Sequence, residues 1–310
     1  MTIANHPTAW LAGTISDLPT PFDDDDGIDF AAFERLCERQ IEAGAKAIVV
    51  AETAGEVSTL TLAEHDAIVR TAVKVAGGRC RVIAGAGSNA TSHAIELTRL
   101  AEAAGADAIL SVVPYYNKPM QTGLTAHFAA VADCTELPVI LHDIPSRTVR
   151  GLADETILRL AKSPQFIGLR DASGDVTRPL RLKSLLRPEF RLLSGDDATA
   201  MAYLLHGGDG CMGFTAAIVP ELCHELTRSC QHGQLRTALS IAERLAPLSA
   251  ALCCDTPAAL KYALSLPGLM SSRVRLPMVE LDEAEKAEIA RAIAAIGDEA
   301  EIGKGERRSA

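Results

Sequence analysis

The stretch Phe166-Ile167-Gly168-Leu169-Arg170-Asp171-Ala172-Ser173-Gly174-Asp175 starts as an apolar run, stops at an arginine, and turns polar and small. That is the pattern of a strand covered on both faces that breaks into a loop. It is one of a series. Short runs rich in Val, Ile and Leu recur at 13–19, 47–51, 81–86, 108–114, 138–144, 165–170, 190–195 and 210–214. Segments of helical periodicity lie between them, for example 29–43, 62–75, 92–104 and 197–205. Such alternation predicts right-handed βαβ units and a parallel sheet. Eight units over residues 10–232 predict an α/β fold of the (β/α)8 TIM barrel type, whose usual size is about 250 residues.

A doubly wound open sheet is the alternative, and it needs a glycine-rich turn after the first strand. The first junction, Leu18-Pro19-Thr20-Pro21-Phe22-Asp23, has none. Gly85-Ala86-Gly87-Ser88-Asn89-Ala90 lacks the third glycine and comes at the third unit. Beyond the eighth unit, helical patterns at 234–252, 256–266 and 282–296 predict a C-terminal helical extension over 233–297. Residues 298–310 read as a polar, disordered tail.

The formal net charge of −10 argues against a nucleic-acid partner, which calls for a basic patch. No secretory leader pattern is present, and no apolar run approaches the ~18 residues that span a bilayer. A soluble cytoplasmic protein without a membrane partner is the expectation. The eight cysteines include no CxxC pair and read as small buried residues, so no metal or other cofactor is expected. Asp23–Asp26 reads as a solvated loop, since an EF-hand register on Gly27 would put Phe22 first and Phe33 twelfth.

In a (β/α)8 barrel the loops at the C-terminal strand ends build the site. Those ends here carry Glu52-Thr53-Ala54-Gly55-Glu56, Pro114-Tyr115-Tyr116-Asn117, His142-Asp143, Arg170-Asp171, Gly195-Asp196-Asp197 and Met212-Gly213. The Thr53 hydroxyl and the amides of its loop suit a carboxylate. The same loop reads equally as a turn with a helix cap, Tyr115-Tyr116 as surface aromatics, and His142 as a core histidine.

With those motifs in view, the chain resembles the dihydrodipicolinate synthase / N-acetylneuraminate lyase family from about residue 10 to 295. The motifs are Pro19-Thr20-Pro21-Phe22, Thr53-Ala54-Gly55-Glu56, Ala84-Gly85-Ala86-Gly87, Pro114-Tyr115-Tyr116-Asn117, Pro145-Ser146-Arg147-Thr148, Asp171-Ala172-Ser173-Gly174-Asp175 and Ser194-Gly195-Asp196-Asp197. The resemblance implies a homodimer or homotetramer that holds pyruvate as a Schiff base on a sixth-strand lysine. It implies Thr53 as a proton relay, Tyr116 as a tyrosine reaching a neighbouring subunit, and Arg147 as the entrance arginine that binds a carboxylate. Ala54, Gly55, Gly195 and Met212 fall at the substrate-binding positions.

At four positions this chain departs from the family pattern. Glu52 stands for glycine, Ala54 for the second threonine of the loop, His142 for the shuttle tyrosine, and Arg170 for the Schiff-base lysine. A guanidinium keeps its proton and forms no imine. The nearest lysine in sequence, Lys162, ends the preceding helix and reads as solvated. One expectation is a lyase or hydratase acting on a 2-keto acid or related small carboxylate without an imine. In it Arg170 pairs with a substrate oxygen, and His142, oriented by Asp143 or a neighbour, serves as base. The alternatives are a non-catalytic carboxylate-binding or assembly protein, and a metal-dependent aldolase using Glu52, His142 and Asp143.

Overall fold

The computed structural model describes residues 7–252 and 257–297, so the predicted polar tail at 298–310 lies outside the described residues. Eight parallel strands close into one barrel. They are β1 (Gly13–Asp17), β2 (Ala47–Val50), β3 (Arg81–Gly85), β4 (Ala108–Val112), β5 (Val139–Asp143), β6 (Phe166–Asp171), β7 (Arg191–Ser194) and β8 (Gly210–Gly213). Each pairs with the next, and β8 returns to β1 through Gly13 opposite Gly210.

Side chains alternate across each strand, so two cores form. Ile15, Val49, Ile83, Leu110, Ile140 and Met212 point inward and fill the barrel. Ile48, Val82, Ile109, Leu141 and Leu192 point outward beneath the helices. Those helices are α1 (Phe30–Glu42), α2 (Leu62–Ala76), α3 (Thr91–Ala104), α4 (Gln121–Ala132), α5 (Pro145–Thr148) and α6 (Asp154–Leu160). They continue with α7 (Arg178–Leu182), α8 (Ala200–Leu205), α9 (Thr215–Ile218) and α10 (Pro220–Gln231). Three further helices follow the barrel: α11 (Leu235–Leu252), α12 (Pro257–Ser265) and α13 (Glu283–Ile296). Among the described residues, no single helix is long and apolar enough to cross a membrane.

Local chemistry sets the boundaries. Thr61 and Glu64 form a reciprocal capping box at the start of α2, and Asp282 and Glu285 form another on α13. The helix predicted from residue 197 begins only at Ala200. Asp197 instead turns its carboxylate to accept from the amides of Phe214 and Thr215, at 2.8 and 3.0 Å, and so ties β7 to the β8 loop.

The C-terminal helices also brace the site end of the barrel. Lys261 on α12 is fully buried, ion-paired to Glu56, donates to the Arg273 carbonyl at 2.9 Å, and sits 3.9 Å from the centroid of the Phe22 ring. Burial pushes its ammonium down to about 8, against the pull of Glu56. Arg275 lies 4.2 Å from the same ring on its guanidinium side, bonds Glu64 through both terminal nitrogens, and donates its amide to Glu56 at 3.0 Å. The loops after β1 and β2 are therefore held by cations from the far end of the chain. Removing one member of such a buried pair strands the other, at a cost of roughly 3–5 kcal/mol. Lys261→Met is expected to lose stability on that scale in denaturant unfolding, and Lys261→Met/Glu56→Gln to recover part of it.

Candidate active site

At the C-terminal end of the barrel the inward positions stop being apolar. On β1 the residue two beyond Ile15 is Asp17; on β5 the residue two beyond Ile140 is His142. Arg170 on β6 lies in register beside His142. Glu52 follows β2 on a turn with left-handed backbone at Ala51 (φ +52°), and Glu56 ends that loop with φ +53°. Two such non-glycine residues in one short loop are strained, and packing must hold them. Gly85 makes this turn sterically feasible, since a Cβ there would come within 2.2 Å of the Ala51 carbonyl oxygen.

These four side chains form one hydrogen-bonded line. Arg170 Nη1 donates to Asp17 Oδ2 at 2.8 Å and to Glu52 Oε2 at 3.1 Å. Glu52 Oε1 lies 2.9 Å from His142 Nδ1, and its Oε2 also accepts the Thr53 amide. Arg170 is 1% exposed and His142 0% exposed, so neither side chain faces bulk solvent. Burial pushes the Asp17 carboxyl up to about 7, with Glu52 adding to the rise and Arg170 opposing it. Burial acts on Glu52 in the same sense, but His142, Arg170 and the Thr53 amide outweigh it and hold Glu52 below the usual carboxylate range. Two carboxylates and one guanidinium leave one negative charge, which a single proton on His142 or Asp17 cancels.

This geometry bears on two sequence-based expectations. Arg170 was expected to meet a substrate oxygen; its Nη1 is engaged by two carboxylates of the chain itself, while its buried Nε has no hydrogen-bond partner among the described residues. Of the orienting partners expected for His142, Asp143 or a neighbour, the structure has Glu52. Asp143 points out of the barrel, where Arg178 Nη1 donates to its Oδ2 at 2.8 Å and to Asp171 Oδ1 at 3.0 Å. Tyr203 adds its hydroxyl to Asp171 at 3.3 Å. This outer network locks the ends of β5 and β6 together and takes Asp143 away from any shared metal site with Glu52 and His142. Among the described residues, no group of three or more His, Cys, Asp or Glu is arranged to hold a metal ion.

The remaining predicted residues divide by location. Thr53 and Arg147 line a cavity of about 230 Å³ with Glu52, Tyr115 and Met278. Gly195 lines a second mouth cavity, of about 300 Å³, with Ser146, Ser173, Asp196 and Phe214. A Cβ at Gly195 would fall 3.1 Å from Arg170 Cγ, so the glycine gives the arginine its room. Ala54 is buried in its loop, while the Gly55 carbonyl accepts from Thr20 Oγ1 at 2.8 Å. Met212 belongs to the barrel core and is wholly buried, which corrects its expected place in a substrate pocket. Tyr116 has left-handed backbone (φ +69°), is 87% exposed, and lines neither cavity. The Thr53 amide, expected to receive a substrate carboxylate, is occupied by Glu52.

Asp17 and Lys261 did not emerge from the sequence, and Glu56 emerged only as part of its loop motif, without its partner Lys261. A signal existed for Asp17: a carboxylate two residues after Ile15, in a strand otherwise covered on both faces, has to point into the barrel.

Known proteins align with this architecture over almost its whole length. Residues 10–296 match the model of the dihydrodipicolinate synthetase family. A 4-hydroxy-tetrahydrodipicolinate synthase of Hyphomonas neptunium is 47% identical over 288 residues, covering 92% of this chain and 98% of that protein. The enzyme of the same name from Gluconobacter oxydans is 43% identical over 283 residues, covering 91% and 95%. Among solved structures, dihydrodipicolinate synthase from Aquifex aeolicus superposes with a TM-score of 0.88 at 35% identity, covering 91% of this chain and 97% of that one. The chloride-inhibited synthase from Acinetobacter baumannii, complexed with pyruvate, gives 0.88 at 38% identity, covering 92% and 98%. With its barrel, its strand-end motifs and its full-length relatives in agreement, this chain belongs to the dihydrodipicolinate synthetase family.

Proposed function

We propose that this protein is a lyase of its family that acts on a 2-keto acid or a related small carboxylate without forming a lysine imine. The observation that carries the reading is Arg170, which stands where the resemblance expects the imine lysine, with Nη1 2.8 Å from Asp17 and 3.1 Å from Glu52. A guanidinium so paired stays protonated and is no nucleophile. The relatives' names, synthases of 4-hydroxy-tetrahydrodipicolinate, support a small carboxylate as the class of compound handled.

The substrate's carboxylate binds at Arg147, with the Thr53 hydroxyl at the same cavity wall. Glu52 fills the carboxylate position at the Thr53 amide, so that position takes no substrate. His142 removes or returns a proton at the carbon beside the carbonyl, through the ring nitrogen opposite the one held by Glu52. Glu52 stabilises the imidazolium that forms, and Arg170 keeps Glu52 ionised. Assembly into a homodimer or homotetramer belongs to the same reading. Tyr116, 87% exposed on a strained loop, is placed to meet another subunit rather than its own cavities.

A second reading has its own support. His142 and Arg170 are 0% and 1% exposed, as expected of a protein that binds a carboxylate at Arg147 without turning it over.

Three measurements separate these readings. Incubation with pyruvate and borohydride is expected to leave the intact mass unchanged; an adduct on any lysine overturns the imine-free reading. A thermal-shift screen of 2-keto acids is expected to give a stabilising ligand whose effect is lost in Arg147→Ala. His142→Ala is expected to lower turnover of that ligand by roughly 10²–10⁴-fold while leaving its binding within a few-fold. Binding without turnover in the unsubstituted protein supports the second reading instead.

A further inference from the structure

We propose that Asp17 is a positioning residue that, together with Glu52, holds the base at position 170 in its charged form, so that arginine alone is not what excludes imine chemistry. The inference deepens the imine-free reading and rests on it.

Imine formation needs a free amine. The ammonium gives up a proton, the nitrogen lone pair attacks the carbonyl carbon, and the C–O bond breaks as water leaves. Burial favours the neutral amine, whereas a nearby carboxylate favours the ammonium. At position 170 the cation already there donates to two carboxylates, at 2.8 and 3.1 Å. Burial is the largest influence on Arg170 and acts to lower its pKa, yet Asp17 and Glu52 together carry it above the ordinary value. Lys261 is the contrast within the same protein: buried, with Glu56 as its carboxylate partner, it is pushed down to about 8. There a single carboxylate is opposed by burial and by the Arg275 cation, whereas position 170 has two carboxylates bonded to it.

The groups facing position 170 come from four elements. Asp17 comes from β1 and Glu52 from the end of β2, with His142 of β5 behind Glu52. From β8 and its loop come the Cys211 thiol and the Phe214 ring, whose centroid is 5.7 Å from the guanidinium carbon. Lysine Nζ reaches about as far as arginine Cζ, one bond short of Nη1, and so stays within the field of both carboxylates. Asp17 Oδ1 is buried and accepts no hydrogen bond among the described residues, which leaves a further acceptor for an ammonium. Glu52 has a second effect, because its carboxylate occupies the Thr53 amide that an incoming keto acid would need.

The test compares Arg170→Lys with Asp17→Ala/Glu52→Gly/Arg170→Lys. Each is incubated with pyruvate and borohydride at pH 7 and pH 9.5, and the adduct is quantified by intact mass and mapped to residue 170. Hydride from borohydride reduces the imine to a stable secondary amine. At pH 7 the triple variant is expected to trap at least ten-fold more adduct than Arg170→Lys, with the gap closing at pH 9.5 as the ammonium loses its proton. Equal trapping at pH 7, a gap indifferent to pH, or no adduct in either variant overturns the role of Asp17. Should the triple variant fail to fold, Asp17→Asn/Glu52→Gln/Arg170→Lys preserves side-chain shape and carries the same expectations. Unsubstituted protein runs alongside: an adduct there defeats the imine-free reading, whereas a failure confined to the variants defeats only the role of Asp17.

Discussion

A guanidinium that cannot release its proton has to be given counter-charge before a barrel can close around it. Arg170 is 1% exposed, and the fold supplies Asp17 and Glu52 as its partners. The rest of the site follows from that requirement. Glu52 reaches Arg170 only because β2 ends in a left-handed turn, and that turn is possible only because Gly85 leaves its neighbour room. The other oxygen of Glu52 fixes the His142 ring. The donors that would greet a substrate carboxylate at the barrel centre, the Thr53 amide and Arg170 Nη1, are spent on the chain itself.

The same rule organises the layers around the centre. Arg178 is mostly buried and satisfied by Asp143 and Asp171, which fixes the ends of β5 and β6 from outside the barrel. Lys261 is buried and satisfied by Glu56 and the Phe22 ring, which fixes the loops after β1 and β2. The pairing of Glu56 with Lys261 joins segments far apart in sequence. The strained loop carrying Glu52 and Thr53 is thus clamped by α12 and by Arg275, and the C-terminal helices act on the site without lining its centre.

How legible this was depends on how local the causes are. The eight apolar runs and their helices were readable because burial on both faces writes itself into consecutive residues. Arg170, His142 and Thr53 stood out as candidates because strand ends of a barrel converge, whereas Arg147 came only with the family resemblance. Which residue orients His142 was not readable. Asp143 is adjacent in sequence, but strand alternation sends consecutive side chains to opposite faces, so the neighbour in the chain is the wrong partner in space. Glu52 reaches His142 from ninety positions away. Met212 misled for a related reason: its position near a strand end suggested a site, but it sits one layer too deep, among Ile15 and Leu110.

Asp17, Glu52, His142 and Arg170 constrain one another as a set. Two carboxylates, one guanidinium and one imidazole are neutral with a single added proton, and each carboxylate bonds the guanidinium directly. Removing either carboxylate leaves Arg170 short of a buried partner, and removing Arg170 leaves two buried carboxylates side by side, each change costing roughly 3–5 kcal/mol. Changes made singly at this layer are therefore resisted by the fold, while changes made together are not. Asp17 on β1 and Glu52 on the β2 loop supply the counter-charge that a buried guanidinium needs, so the layer suits an arginine. The apolar layers that fix the barrel and the charged layer at its end are thus distinct parts of one scaffold, the first held by burial and the second by Asp17, Glu52, His142 and Arg170 bonding one another.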